Sequence, residues 1–82
     1  MPALDDTRLN RHRAFDWLIG TNVRDLRHRY GLTQEELAEL ADMDPTQLSR
    51  VENGERSLKF REAMRIAEHL GIRPEALTRE LT

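Results

Sequence analysis

An all-α domain of five helices is what this 82-residue chain predicts, and three observations carry that expectation. Apolar residues recur at helical spacing through successive segments, and no segment alternates apolar and polar residues as a half-buried strand does. Stop and start signals separate the segments: Gly31, Gly54 and Gly71 follow periodic stretches, while Pro45 and Pro74 stand where new ones open. The length suits one small core, without room for an enclosed active site.

Residues 1–20, MPALDDTRLNRHRAFDWLIG, form an N-terminal extension. Leu4, Leu9, Phe15, Trp17 and Leu18 supply the apolar side of an added helix, with fraying expected over roughly the first six residues. The next helix carries Val23, Leu26 and Tyr30 at i, i+3 and i+7 and stops at Gly31. Phe15, Ile19 and Asn22 or Val23 continue its stripe backwards. Thr33 and Glu36 then have the spacing of a capping box. Behind them Leu37, Ala38 and Ala41 make an apolar stripe whose alanines let a second helix cross closely. Asp42 sits at the bend, where a left-handed residue is favoured and Asp is tolerated at some cost. Met43 puts an apolar side chain into the turn.

Asp44 suits an N-cap and Pro45 the first helical position, so a third helix runs from Pro45 to about Asn53. At about 100° per residue, Leu48 and Val51 share one side, and Thr46, Ser49, Arg50 and Asn53 share the other, with Gln47 and Glu52 at the flanks. An ordinary solvated face carries Lys and Glu. This one offers short hydrogen-bonding groups and a guanidinium, the chemistry that base edges and phosphates accept. Phe60, Ala63, Ile66, Ala67 and Leu70 form a fourth stripe ended by Gly71, and Pro74 opens a short fifth helix with Leu77 and Leu81. Two short helices joined by a tight turn, residues 34–53, are a device for laying one helix in the DNA major groove.

The stretch GLTQEELAELADMDPTQLSRVENG, with IAEHLGI and RPEAL downstream, resembles the helix-turn-helix of the phage repressor/Cro-like class, the XRE family. The likeness runs from Asn22 to about Leu81. It departs at Asp42, where the turn usually has Gly, and at Lys59, where a capping Ser or Thr is common. Both predict modest local destabilisation. The resemblance implies a repressor-like bundle over residues 21–82, with the motif at 34–53 and the recognition helix at about 45–53. It implies that Thr46 and Arg50 reach base edges, with Gln47 and Ser49 assisting at base or phosphate. Pro45 matches a further base-reading position but has no polar side chain, so one contact is expected to be missing. Gln34 is implied as a phosphate contact, and Asn53, Arg56 and Lys59 surround the loop that grips the DNA backbone. Arg27 and Glu52 match a family pair that forms an internal ion pair. In the extension, Arg8, Arg11 and Arg13 suit an arm along the DNA, the reading set against the preferred helix.

Charge argues the other way. Lys and Arg total 13 against 15 Asp and Glu, a net charge of −2. The acids gather on the first motif helix and its turn, at Glu35, Glu36, Glu39, Asp42 and Asp44. The bases gather at Arg50, Arg56, Lys59, Arg61 and Arg65. A mild, localised positive face follows, with weak non-specific binding, so specificity rests on base contacts and dimerisation. One recognition helix reads only a few base pairs, so a homodimer on a pseudo-palindromic site is expected. Its surface is expected on the last helix, with Ile72, Leu77 and Leu81, joined by Trp17, which the family core does not need.

Other classes find little support. There is no Cys, hence no disulfide and no thiolate metal site. His12, His28 and His69 lack partners at i+3 or i+4, so no metal is expected. No nucleophilic triad or phosphate-cradling Gly loop is visible, so neither catalysis nor a cofactor is expected. No run approaches membrane-spanning length and no secretory signal is seen, which makes the cytoplasm the expected location. The sequence thus predicts a prokaryotic or phage transcriptional regulator that binds double-stranded DNA, either alone or as one domain of a longer regulator. The alternative is a protein-interaction module of the same fold, with a toxin or an RNA polymerase subunit as partner; the acidic first motif helix favours it.

Overall fold

The computed structural model describes residues 6–80, with side chains described from Arg13 to Glu80. Leu4, and the side chains of Leu9, Arg8, Arg11 and Leu81, lie outside the described residues. The order is α1 (Asp6–Arg29), α2 (Gln34–Ala41), α3 (Pro45–Glu52), α4 (Phe60–Leu70) and a single 3₁₀ turn, Pro74–Leu77. The expected five-helix bundle is therefore corrected to four α-helices and a turn among the described residues. Side chains tie down the carbonyls at the end of this last segment. The Asn22 side-chain amide donates to Leu77 O at 3.0 Å and to Arg79 O at 2.8 Å, and Thr78 Oγ1 donates to Glu75 O.

Helix α1 is continuous through position 20, and α3 crosses it there. Gly20 is buried, and a Cβ at that position would run into the carbonyl oxygen of Val51. Only a bare backbone permits that approach. The core lies between α1, α2, α3 and α4: Val23, Leu26, Leu37, Ala38, Ala41, Leu48, Val51 and Ile66, closed at one end by Leu77. Nine such side chains, each contributing roughly 1–3 kcal/mol on burial, are the main favourable term in so small a domain.

Three residues expected in the apolar stripes are not inside. Tyr30 and Phe15 are exposed, and Phe60 is 80% exposed. Tyr30 stands at the very end of α1, beyond the last packed turn. Phe60 is the first residue of α4 and has no preceding turn to hold it inward. Glu62 takes the inward place one turn before Ile66, drawn there by Arg56.

Candidate nucleic-acid interface

The turn between α2 and α3 is fixed by caps at both ends. Thr33 Oγ1 accepts the Glu36 N–H at 3.1 Å, and Glu36 Oε1 accepts the Thr33 N–H at 2.9 Å. The Thr33 backbone N–H, helped by the Thr33 hydroxyl beside the carboxylate, holds the Glu36 carboxyl below its ordinary pKa. At the other end Asp42 is left-handed, with φ 55°, and the Met43 N–H reaches back to Ala38 O at 2.9 Å. These bonds satisfy the last carbonyls of α2. Asp44 then caps α3, accepting the Thr46 N–H at 2.7 Å, with Pro45 at the start of the helix, where no N–H is needed.

Helix α3 is thus set with one side fixed and the other free. Leu48, Val51 and Glu52 are buried. Thr46, Arg50 and Asn53 are exposed, while Gln47 and Ser49 are half-buried. Among the described residues, the side chains of Thr46, Gln47, Ser49 and Arg50 have no hydrogen-bond partner. The face offers hydroxyl, amide and guanidinium groups pointing outward from a rigid backbone. An open cleft bounded by Arg27, Thr33, Gln34, Glu35 and Pro45 separates the N-terminal ends of α2 and α3, where unpaired N–H groups favour an anion.

Rigidity comes from Glu52. Its buried carboxylate accepts Arg27 Nε at 2.7 Å and Nη2 at 3.0 Å, Gln34 Nε2 at 3.1 Å, and Arg24 Nε at 3.5 Å. Arg27 also donates to Leu32 O. Burial pushes the Glu52 carboxyl upward, but the hydrogen bonds from Arg27, Gln34 and Arg24, together with the charge of Arg27, outweigh it and hold the group below the usual carboxylate range. One acid joins α1, α2 and α3. Gln34, read from the resemblance as a phosphate contact, gives one of its two amide N–H donors to this acid. Asn53 Oδ1 accepts Arg24 Nη2 at 2.7 Å, which places a half-exposed arginine beside the C-terminal end of α3.

Arg56 is the clearest departure from the expected backbone-gripping set. Its guanidinium forms two 3.0 Å bonds to the Glu62 carboxylate and is mostly covered. Burial raises the Glu62 carboxyl, and the bonds from Arg56 and the Lys59 N–H more than reverse that. Arg56 is committed inside the protein, shaping the loop between α3 and α4. Lys59 remains exposed at the N-cap of α4 and makes no side-chain cap bond. The same loop rests on α1: Ser57 Oγ donates to Asp16 at 2.8 Å, and Gly54, at φ 73°, lies so close to the Trp17 backbone that a Cβ would come within 3.1 Å of it.

The residues expected at a dimer surface separate. Leu77 is 2% exposed and belongs to the core, because Asn22 pulls the 3₁₀ turn onto α1. Ile72 packs against the core edge. Trp17 is exposed, and Leu81 lies outside the described residues. Arg24, Glu62 and Asn22 are the residues that sequence reasoning missed. Arg24 was within reach, one turn before Arg27 and facing the same acid. Glu62 had the N3 capping spacing after Lys59. No helix among the described residues is long and apolar enough to cross a membrane.

Comparison with known proteins agrees with this geometry. A helix-turn-helix family model matches residues 23–77. The crystal structure of the restriction-modification controller protein C.AhdI from Aeromonas hydrophila is similar at a TM-score of 0.73 and 34% identity, covering 78% of this chain and 97% of that one. No curated protein matches the chain.

Proposed function

Because the chain belongs to the XRE-type helix-turn-helix family of DNA-binding transcription regulators, we propose that it controls transcription by occupying a specific operator, as a homodimer on a pseudo-palindromic site. The outer face of α3 carries the proposal: four hydrogen-bonding side chains without partners among the described residues, on a helix whose inner side is locked by Glu52. Arg50 is the principal base reader. Its fork fits guanine O6 and N7, a pairing that discriminates by about 1–3 kcal/mol. Thr46 reads beside it, and Gln47 and Ser49 assist. Arg24, Asn53 and Lys59 contact phosphates, while Arg56 stays with Glu62. Gln34 reaches phosphate through its backbone N–H at the start of α2 and the amide N–H not given to Glu52. Work on DNA places the protein in the cytoplasm, at the nucleoid. Its likeness to a restriction-modification controller supports regulation of that kind.

Selection from a random duplex pool tests the proposal. The wild type should enrich a palindrome with a guanine preference that Arg50→Ala loses. No enrichment with either protein would overturn it. A second reading, binding of a toxin or an RNA polymerase subunit, draws on the net charge of −2 and on the exposed Glu35, Glu36 and Glu39 of α2. Salt separates the two: binding through several phosphates weakens steeply as salt rises, and an apolar protein contact does not.

A further inference from the structure

Helix α1 begins well before the segment that matches the family, residues 23–77. Its earlier turns add little to the core. They run instead beside the loop that leaves α3. Gly20 meets the carbonyl of Val51, the Trp17 backbone meets Gly54, and Asp16 accepts the Ser57 hydroxyl at 2.8 Å. Towards its N-terminus, α1 therefore follows the chain outward from the end of α3. One side chain in this stretch has no role in the packing. Trp17 is the chain's single tryptophan, it is 54% exposed, and its indole N–H has no hydrogen-bond partner among the described residues.

Helical spacing gives Trp17 basic neighbours. At about 100° per residue, Arg13, Trp17 and Arg24 fall within roughly 40° of one another on α1. Arg24 already stands at the outer face of α3, where its Nη2 donates to Asn53 Oδ1 at 2.7 Å. From Arg24 the strip runs back about 10 Å to Trp17 and about 16 Å to Arg13, at a rise of about 1.5 Å per residue. Arg13 and Trp17 are both exposed.

We propose that Arg13 and Trp17 extend the DNA interface onto α1, holding phosphates of one strand beyond those reached by α2, α3 and Arg24. This rests on the DNA-binding reading above and adds to it a surface outside the helix-turn-helix. Continuity carries it: the strip starts at Arg24, which touches α3 at Asn53, and follows the loop away from there. The chemistry fits phosphate rather than base edges. A guanidinium and an indole N–H can only donate, and phosphate oxygens accept. A duplex also presents its acceptors in a line, one phosphate per about 3.4 Å of axis on each strand, and the strip is itself a line. Asp16, the acid between Arg13 and Trp17, gives both oxygens to Ser57, while Glu55 stays exposed on the adjoining loop. Arg13 thus contacts DNA from a helix, not from an extended arm.

Duplex binding by the full chain tests the strip, read through salt dependence and through Trp17 fluorescence. A bound duplex should shield Trp17 from acrylamide quenching, and no other tryptophan obscures the signal. Arg13→Gln should lower the slope of log affinity against log salt by about 0.9 per subunit bound. Trp17→Phe keeps an aromatic ring and loses the donor; it should weaken binding roughly 3–10-fold with the slope unchanged. Both variants should keep the wild-type thermal midpoint, because both side chains are exposed. Phosphate contacts carry no sequence information, so the effects should be equal on the selected operator and on a scrambled duplex. An unchanged slope for Arg13→Gln or an unchanged affinity for Trp17→Phe would overturn the proposal, as would quenching unaltered by a bound duplex. The outcomes also separate the strip from base reading. An operator preference that Arg50→Ala loses, with neither strip readout moving, keeps base reading and removes the strip. Equal binding of both duplexes, with both readouts moving, removes base reading and keeps the strip. A chain that binds no duplex removes both and leaves this face to an acidic protein partner.

Discussion

Glu52 and Glu62 are both buried carboxylates gripped by arginine, yet they work over different ranges. Glu52 draws its donors from 18 to 28 residues away, on α1 and α2. Glu62 takes Arg56 from six residues back and the Lys59 N–H from three. The first cluster fixes the mutual position of three helices and so sets the platform on which α3 presents its outer face. The second shapes one loop and the first turn of one helix. Equal chemistry thus yields a global brace in one place and a local one in the other.

Removing each acid is the strongest way to break that contrast. Glu52→Ala leaves Arg27 nearly buried and unpaired and should cost about 3–5 kcal/mol. In a domain of this size that lowers the melting midpoint by well over roughly 10 °C. Glu62→Ala should cost roughly 1–3 kcal/mol, and hydrogen exchange should loosen only the loop from Asn53 to Lys59 and the start of α4. Equal losses, or global loosening by both, would erase the distinction. Their effects should add, since the two clusters share no partner.

Acid tests both clusters at once. Each carboxyl lies below its ordinary value in the folded state, so the unfolded chain binds the proton more readily. The stability they provide is fully present above about pH 4.3, the unfolded value, and is lost as pH falls through the folded values. Urea titrations between pH 3 and 6 should show that decline, and Glu52→Gln should flatten it more than Glu62→Gln. The smallest effect is expected at a backbone constraint, the left-handed cap of α2. Asp42→Gly relieves a left-handed side chain and should stabilise by about 0.5–1 kcal/mol, measurable as a slightly raised midpoint with operator binding unchanged.

What was legible in the sequence was whatever local spacing determines. The Thr33–Glu36 box, the left-handed Asp42, the Asp44–Pro45 start and the two faces of α3 all depend on neighbours within a turn. The Arg27–Glu52 partnership came through resemblance, because nothing local connects residues 25 apart. Arg56 was assigned to the DNA backbone with no internal partner foreseen, since Glu62 lay inside a stripe read only for apolar residues. Phe60 was misread for the converse reason: period alone placed it inward, but the first residue of a helix lacks the preceding turn that would cover it. Leu77 was assigned outward because the reach of Asn22 across the bundle leaves no trace in spacing.

The two bonds from Asn22 have a consequence in time. They link residues 55 and 57 positions apart, and closing a loop of that length costs on the order of 3–4 kcal/mol in chain entropy. A nascent chain can wind α1 and assemble the α2–α3 turn early, but Asn22 stays unpaired and the core stays open at one end until Leu77 and Arg79 have left the ribosome. Completion of this fold therefore waits for its last turn, and the exposed interior of the unfinished domain is what a chaperone would meet first.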